Sequence, residues 1–167
     1  MGSLDGVYAT TAAWRDGREI VSLLFDPEEI DYKTLVKEAK NFKCTDKVFT
    51  HSQEHLKVAN EIVGSRAVMA TDEQRARFAK DSDQKYYLAN SPLRTLPMCG
   101  YQITKVNAAI GRNERFDQLL SPRQITLAKQ ILAKQKTDKG ALSGLNPPVE
   151  DDKLGEYTAK LVKALAK

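Results

Sequence analysis

The 167-residue chain holds 26 Lys/Arg against 22 Asp/Glu, a net charge of +4, with 41% hydrophobic and 29% charged residues. That composition can bury a core, and it excludes disordered and collagen-like classes; two cysteines are too few for a disulfide scaffold. No apolar run approaches the roughly 18 residues of a membrane span, and a signal-peptide layout is missing, so a cytoplasmic protein without a membrane partner is expected.

The first elements form a hairpin. Residues 6–14 are rich in β-branched and aromatic side chains, and residues 18–25 continue the pattern after Asp16-Gly17. Asp-Gly between two such runs favours the positive φ angles of a tight hairpin turn. Ile20, Val21, Leu23, Leu24 and Phe25 are nearly continuous, which predicts an interior strand rather than a half-solvated edge. Asp31 then reads as the N-cap of a helix over 32–42, with Leu35, Val36 and Ala39 on its apolar face. Residues 47–51 suit a short strand. Ser52 opens a second helix carrying Leu56, Ala59, Ile62 and Val63, stopped by Gly64, and residues 66–70 suit one more strand.

The second half reads as helical. Thr71-Asp72-Glu73-Gln74 has the form of a capping box opening a helix to residue 89. Two prolines and a glycine make 90–100 a loop, and helix returns over 101–110. Ser121-Pro122-Arg123-Gln124 starts another helix reaching residue 136. Residues 137–152, with two glycines and two prolines, read as a linker before an amphipathic helix bearing Leu154, Tyr157, Leu161, Val162 and Leu165. The pattern predicts an α+β fold, a two-layer ferredoxin-like sandwich with a C-terminal helical extension. Its parts are a sandwich core over 1–70, the extension over 71–136, and the linker with terminal helix over 137–167.

Few residues have the types and spacing that chemistry requires. The sequence holds no phosphate-binding glycine loop, no Cys-x-x-Cys and no serine-hydrolase elbow. His51 and His55 flank Glu54 at helical spacing, but no third ligand stands at a zinc-site interval, and no metal is expected. Cys44 lies among lysines, and Cys99 precedes a helix, two settings that favour a thiolate; each also suits a small half-buried side chain. Between Arg94 and Lys139 stand nine basic and three acidic residues, a net +6, which leaves the remainder at −2. That segment lacks the interleaved aromatics that stack bases, so nucleic acid is not an expected partner.

A further pattern runs through the N-terminal residues in order. Leu4-Asp5-Gly6-Val7 and Thr10-Thr11-Ala12-Ala13-Trp14 are followed by Gly17-Arg18-Glu19-Ile20-Val21. Then come Phe25-Asp26-Pro27-Glu28-Glu29-Ile30-Asp31-Tyr32 and the pair Leu35-Val36. This series, over about the first forty residues, resembles the type A peptide methionine sulfoxide reductase family. The family's corresponding segments read Ser-Gly-Tyr-x-Gly-Gly, Gly-His-Ala-Glu-Val-Val and Tyr-Asp-Pro-x-x-Ile-Ser-Tyr. Further on, the Tyr-Leu-x-x-Ser-Pro segment and the Asn-Ala-Ala helix resemble a divergent branch of that group.

The resemblance implies thiol-dependent reduction of a peptide methionine S-sulfoxide, with thioredoxin or another dithiol as electron donor and no cofactor. In such chemistry a thiolate attacks the sulfoxide sulfur, a carboxylic acid protonates the departing oxygen, and a second thiol resolves the sulfenic acid. Glu19 falls on the acid position, in an apolar strand expected to desolvate it. Trp14 is the implied aromatic wall for the substrate methyl. The family nucleophile in Gly-Cys-Phe-Trp is missing, so the chain reads as a divergent or N-terminally shortened member, with Cys44 and Cys99 as its candidate redox thiols. A sandwich without its front strand exposes a sheet edge, and homo-oligomer formation through that edge is expected. The competing expectation is a non-catalytic protein-binding or assembly domain that uses a basic helical face including Arg112, Arg115 and Arg123.

Overall fold

The Asp16-Gly17 turn sets the register of the first two strands. In the computed structural model, which describes residues 1–71, 75–148 and 150–166, both turn residues have positive φ, 52° and 71°. This is the two-residue turn whose twist matches a hairpin. Strands β1 (Val7–Arg15) and β2 (Arg18–Phe25) therefore pair antiparallel from Arg15↔Arg18 through Thr11↔Ser22 to Val7↔Phe25, with a bulge between Val7 and Ala9. Helix α1 (Tyr32–Asn41) begins where expected, because the Asp31 carboxylate accepts the Thr34 N–H at 2.8 Å. Strand β3 (Val48–Thr50), helix α2 (Gln53–Val63) and strand β4 (Ala67–Met69) follow, with β3 and β4 parallel in a separate two-stranded sheet. Ser52 caps α2 by accepting the His55 N–H at 3.1 Å.

Two corrections concern the sheet. Strand β5 (Arg77–Phe78) adds to the outer side of β1, giving the order β2–β1–β5. The interior strand is thus β1, and the apolar β2 lies at an edge. Its apolarity serves a face instead: Leu23 and Phe25 pack with Val7, Ile30 and Leu35. The second correction is the helix expected over 71–89. Of its capping box, Thr71-Asp72-Glu73-Gln74, residues 72–74 lie outside the described residues. Beyond them stand β5, a 3-10 turn at Asp81–Asp83 and a single helical turn, α3 (Tyr86–Ala89). The Ala79 N–H donates to Ala12 O at 2.9 Å, tying this segment to β1, and Lys85 is left-handed at φ 48°.

The chain forms two compact units, Met1–Ala79 and Lys80–Lys167. The first holds the hairpin and two small cores, one of Val7, Ile30 and Leu35, the other of Val36, Ala59, Val63 and Ala67. The strand at 77–78 extends this unit past residue 70. In the second unit, α4 (Gly100–Gly111), α5 (Pro122–Thr137) and α6 (Leu154–Leu165) surround a core that includes Val106, Ile131 and Leu161. The capping box at Ser121 forms as read: its backbone N–H donates to Gln124 Oε1 at 2.9 Å, and its hydroxyl accepts the Gln124 N–H at 3.3 Å. The segment expected to be a linker is integral to this core, since Leu142 is buried in it. Residues 137–167 therefore belong with the preceding helices. The whole is a mixed α/β protein, and no helix among the described residues is long and apolar enough to cross a membrane.

Tyr157 gives this second unit a pH signature. Its hydroxyl donates to Thr95 O at 2.7 Å within the core. Burial pushes its pKa from 10.0 up to about 12. A raised folded pKa means that the unfolded chain loses the proton first. The stability linked to Tyr157 is present below pH 10 and is lost as pH rises toward 12. Urea unfolding should show a steeper alkaline loss in the wild type than in Tyr157→Phe, which keeps only the shares of Tyr8 and Tyr32.

Candidate functional site

The hairpin places two of the expected site residues side by side. Trp14 on β1 is the register partner of Glu19 on β2, and across the other flank Trp14 pairs with Arg77 of β5. Directly opposed residues on antiparallel strands project to the same face, with Cβ atoms roughly 4.5–5.5 Å apart. Glu19, Trp14 and Arg77 therefore form one row across three strands. All three are exposed, Trp14 at 41%. The Glu19 carboxylate makes no hydrogen bond or ion pair among the described residues. Val21 shares the face and is 42% exposed. The row can hold an apolar methyl against the indole, with a carboxyl on one side and a cation on the other.

The desolvation expected for Glu19 is not found: the strand around it is apolar, but its own position faces solvent beside the turn. Arg77 is hidden in the sequence because its segment carries a helical pattern. Only its pairing with β1 reveals it.

The thiols lie elsewhere. Cys44 follows α1 in the same unit as Glu19; it is free and exposed, and its Sγ lies 3.4 Å from Phe42 O. The turn that presents it is set by Lys43, left-handed at φ 58°, and by the Cys44 N–H donating to Ala39 O at 2.8 Å. Cys99 is free and half-buried in the second unit, as the N-cap of α4, where its backbone N–H donates to Gln102 Oε1 at 3.3 Å. The structure thus joins Trp14 with Glu19 but assigns Cys99 to another unit.

The other candidates have structural partners. His55 stacks on Tyr32 with ring centroids 3.9 Å apart and planes 12° from parallel, while His51 is exposed. Among the described residues no group of His, Cys, Asp and Glu side chains could hold a metal ion. On the basic segment, Arg112 pairs with Glu114 at 2.7 Å. Arg115 grips Asp117 through two bonds of 3.1 and 2.8 Å, which hold the Asp117 carboxyl below its ordinary range. Lys105 is buried, with its ammonium 5.1 Å from the Tyr101 ring centre. Arg123 stays exposed. Two of the three acids already counted in the net +6 are thus spent on Arg112 and Arg115.

No protein-family model, curated protein or solved structure matches the chain.

Proposed function

We propose that this chain is a methionine sulfoxide reductase-like protein that reduces a peptide methionine S-sulfoxide with a thiol. The observation that carries the assignment is the Trp14–Glu19 cross-strand pair, an exposed indole beside an exposed carboxyl, with Glu19 at the acid position of the type A pattern.

Cys44 supplies the thiol, being exposed and in the same unit. Its thiolate attacks the sulfoxide sulfur while Glu19 delivers a proton to the oxygen. The attack forms an Sγ–S bond; the hydroxyl then passes from the substrate sulfur to Sγ as the S–O and Sγ–S bonds break, the sulfide leaves, and Cys44 holds the oxygen as a sulfenic acid. A dithiol donor then displaces water to form a mixed disulfide, and its second thiol releases Cys44 reduced and the donor oxidised.

The test is methionine formation from a methionine S-sulfoxide peptide with dithiothreitol as donor. Turnover above that of dithiothreitol alone, abolished in Cys44→Ser and retained in Cys99→Ser, is the expected result. Turnover that survives Cys44→Ser, or none at all in the wild type, overturns the assignment.

A further inference from the structure

Strand β2 is an edge without the usual guards. From Ile20 to Phe25 it has no charge and no proline, and the bulge of the hairpin lies on β1. Edges of this kind invite another strand, and native proteins commonly block them with lysine, proline or bulges. Leu24 is 63% exposed, and Val21 and Ser22 are exposed as well. Among the described residues β2 pairs only with β1.

The free backbone groups can be assigned. A two-residue turn makes Arg15↔Arg18 a hydrogen-bonded pair, and pairing then alternates along the strands. Arg18, Ile20, Ser22 and Leu24 direct their backbone groups to β1. Two bonds outside the ladder agree with this parity: the Asp26 N–H donates to Gly6 O at 2.8 Å, and Ala79 N–H donates to Ala12 O on the opposite side of β1. The backbone groups of Glu19, Val21, Leu23 and Phe25 therefore point outward.

We propose that two copies of this chain pair antiparallel through β2, about a two-fold axis at Ser22. An antiparallel ladder needs outward residues opposite outward residues, and two-fold symmetry makes each contact occur twice. With Ser22 on the axis, Val21 faces Leu23 and Glu19 faces Phe25 in hydrogen-bonded pairs. Ile20 faces Leu24, and Arg18 faces Asp26, in the pairs between. Charge selects this register among those of correct parity. A shift of one copy by two residues in one direction sets Asp26 opposite Asp16, and in the other direction sets it opposite Ile20. Within the extended run that ends at Asp26, only the Ser22-centred register gives Arg18 an acidic neighbour at both ends; the register that sets Asp26 opposite Ile20 would bring Arg18 opposite Glu28, which lies past Pro27 in a turn and outside any ladder. The occupant is a second copy because the edge is complementary to itself.

The test uses the whole chain, with the reductase chemistry playing no part. Sedimentation velocity should show the mass doubling as concentration rises, and Val21→Pro should remain monomeric with an unchanged circular dichroism spectrum, since it deletes only an outward N–H. In a Cys44→Ser/Cys99→Ser background, Ser22→Cys places two thiols in a non-hydrogen-bonded pair, within the Cα span that a disulfide tolerates. It should cross-link to itself about tenfold faster than Val21→Cys in the same background. A chain that stays monomeric at every concentration overturns the proposal, including the case in which another protein takes the edge. Equal cross-linking of Ser22→Cys and Val21→Cys overturns it as well.

Discussion

Ile131→Ala should cost the second unit about 4 kcal/mol, a large share of the stability of a small domain. Ile131 is fully buried on α5, in a cluster with Leu88, Leu93, Val106, Leu142 and Leu161. The substitution removes three carbon atoms, and the lost transfer energy adds to the cost of a cavity that such a core only partly closes. The contacts come from residues far apart in sequence, including the 142 region, so no single local shift can refill the space. Amide exchange along α5 reads the effect directly: a loss of about 4 kcal/mol lowers protection there by roughly a thousandfold. Ile131→Val, which keeps the branch at Cβ, should cost only about 1 kcal/mol.

Glu19→Gln should slow sulfoxide reduction about 10²-fold, equivalent to about 2.7 kcal/mol of transition-state stabilisation. The glutamine keeps the size and the hydrogen-bonding reach of the side chain but cannot deliver the proton that breaks the S–O bond. Its effect therefore belongs mainly to kcat. On the proposed function, Trp14→Ala removes the wall for the methyl in substrate and transition state alike, so it should act mainly on KM. Glu19 makes no internal ion pair or hydrogen bond among the described residues, so Glu19→Gln should leave unfolding by urea unchanged. That separates a chemical defect from a folding one.

The hairpin is legible in the sequence because the Asp16-Gly17 turn and the β-branched runs agree, and one strand register follows from them. The caps at Asp31, Ser52 and Ser121 are legible for the same local reason. What local pattern does not carry is strand order. The apolar run of β2 looks interior, yet it reflects packing on one face of an edge strand, and the short β5 takes its place beside β1 through non-local pairing. Residues 137–152 mislead in the opposite sense. Their glycines and prolines suit a linker, while Leu142, with Ala141 and Leu145 packed beside it, anchors them in the core. Of the candidate site, Trp14 and Glu19 follow from the hairpin register. Arg77 does not, since its place beside Trp14 depends on that distant pairing.

The most direct measurement is a single turnover without any external thiol. The reduced chain is mixed with one equivalent of a methionine S-sulfoxide peptide, and both the peptide and Cys44 are followed by mass spectrometry. One methionine should form per chain, with the oxygen atom appearing on Cys44 and nothing forming in Cys44→Ser. An unchanged sulfoxide beside a fully reduced Cys44 would contradict the assignment.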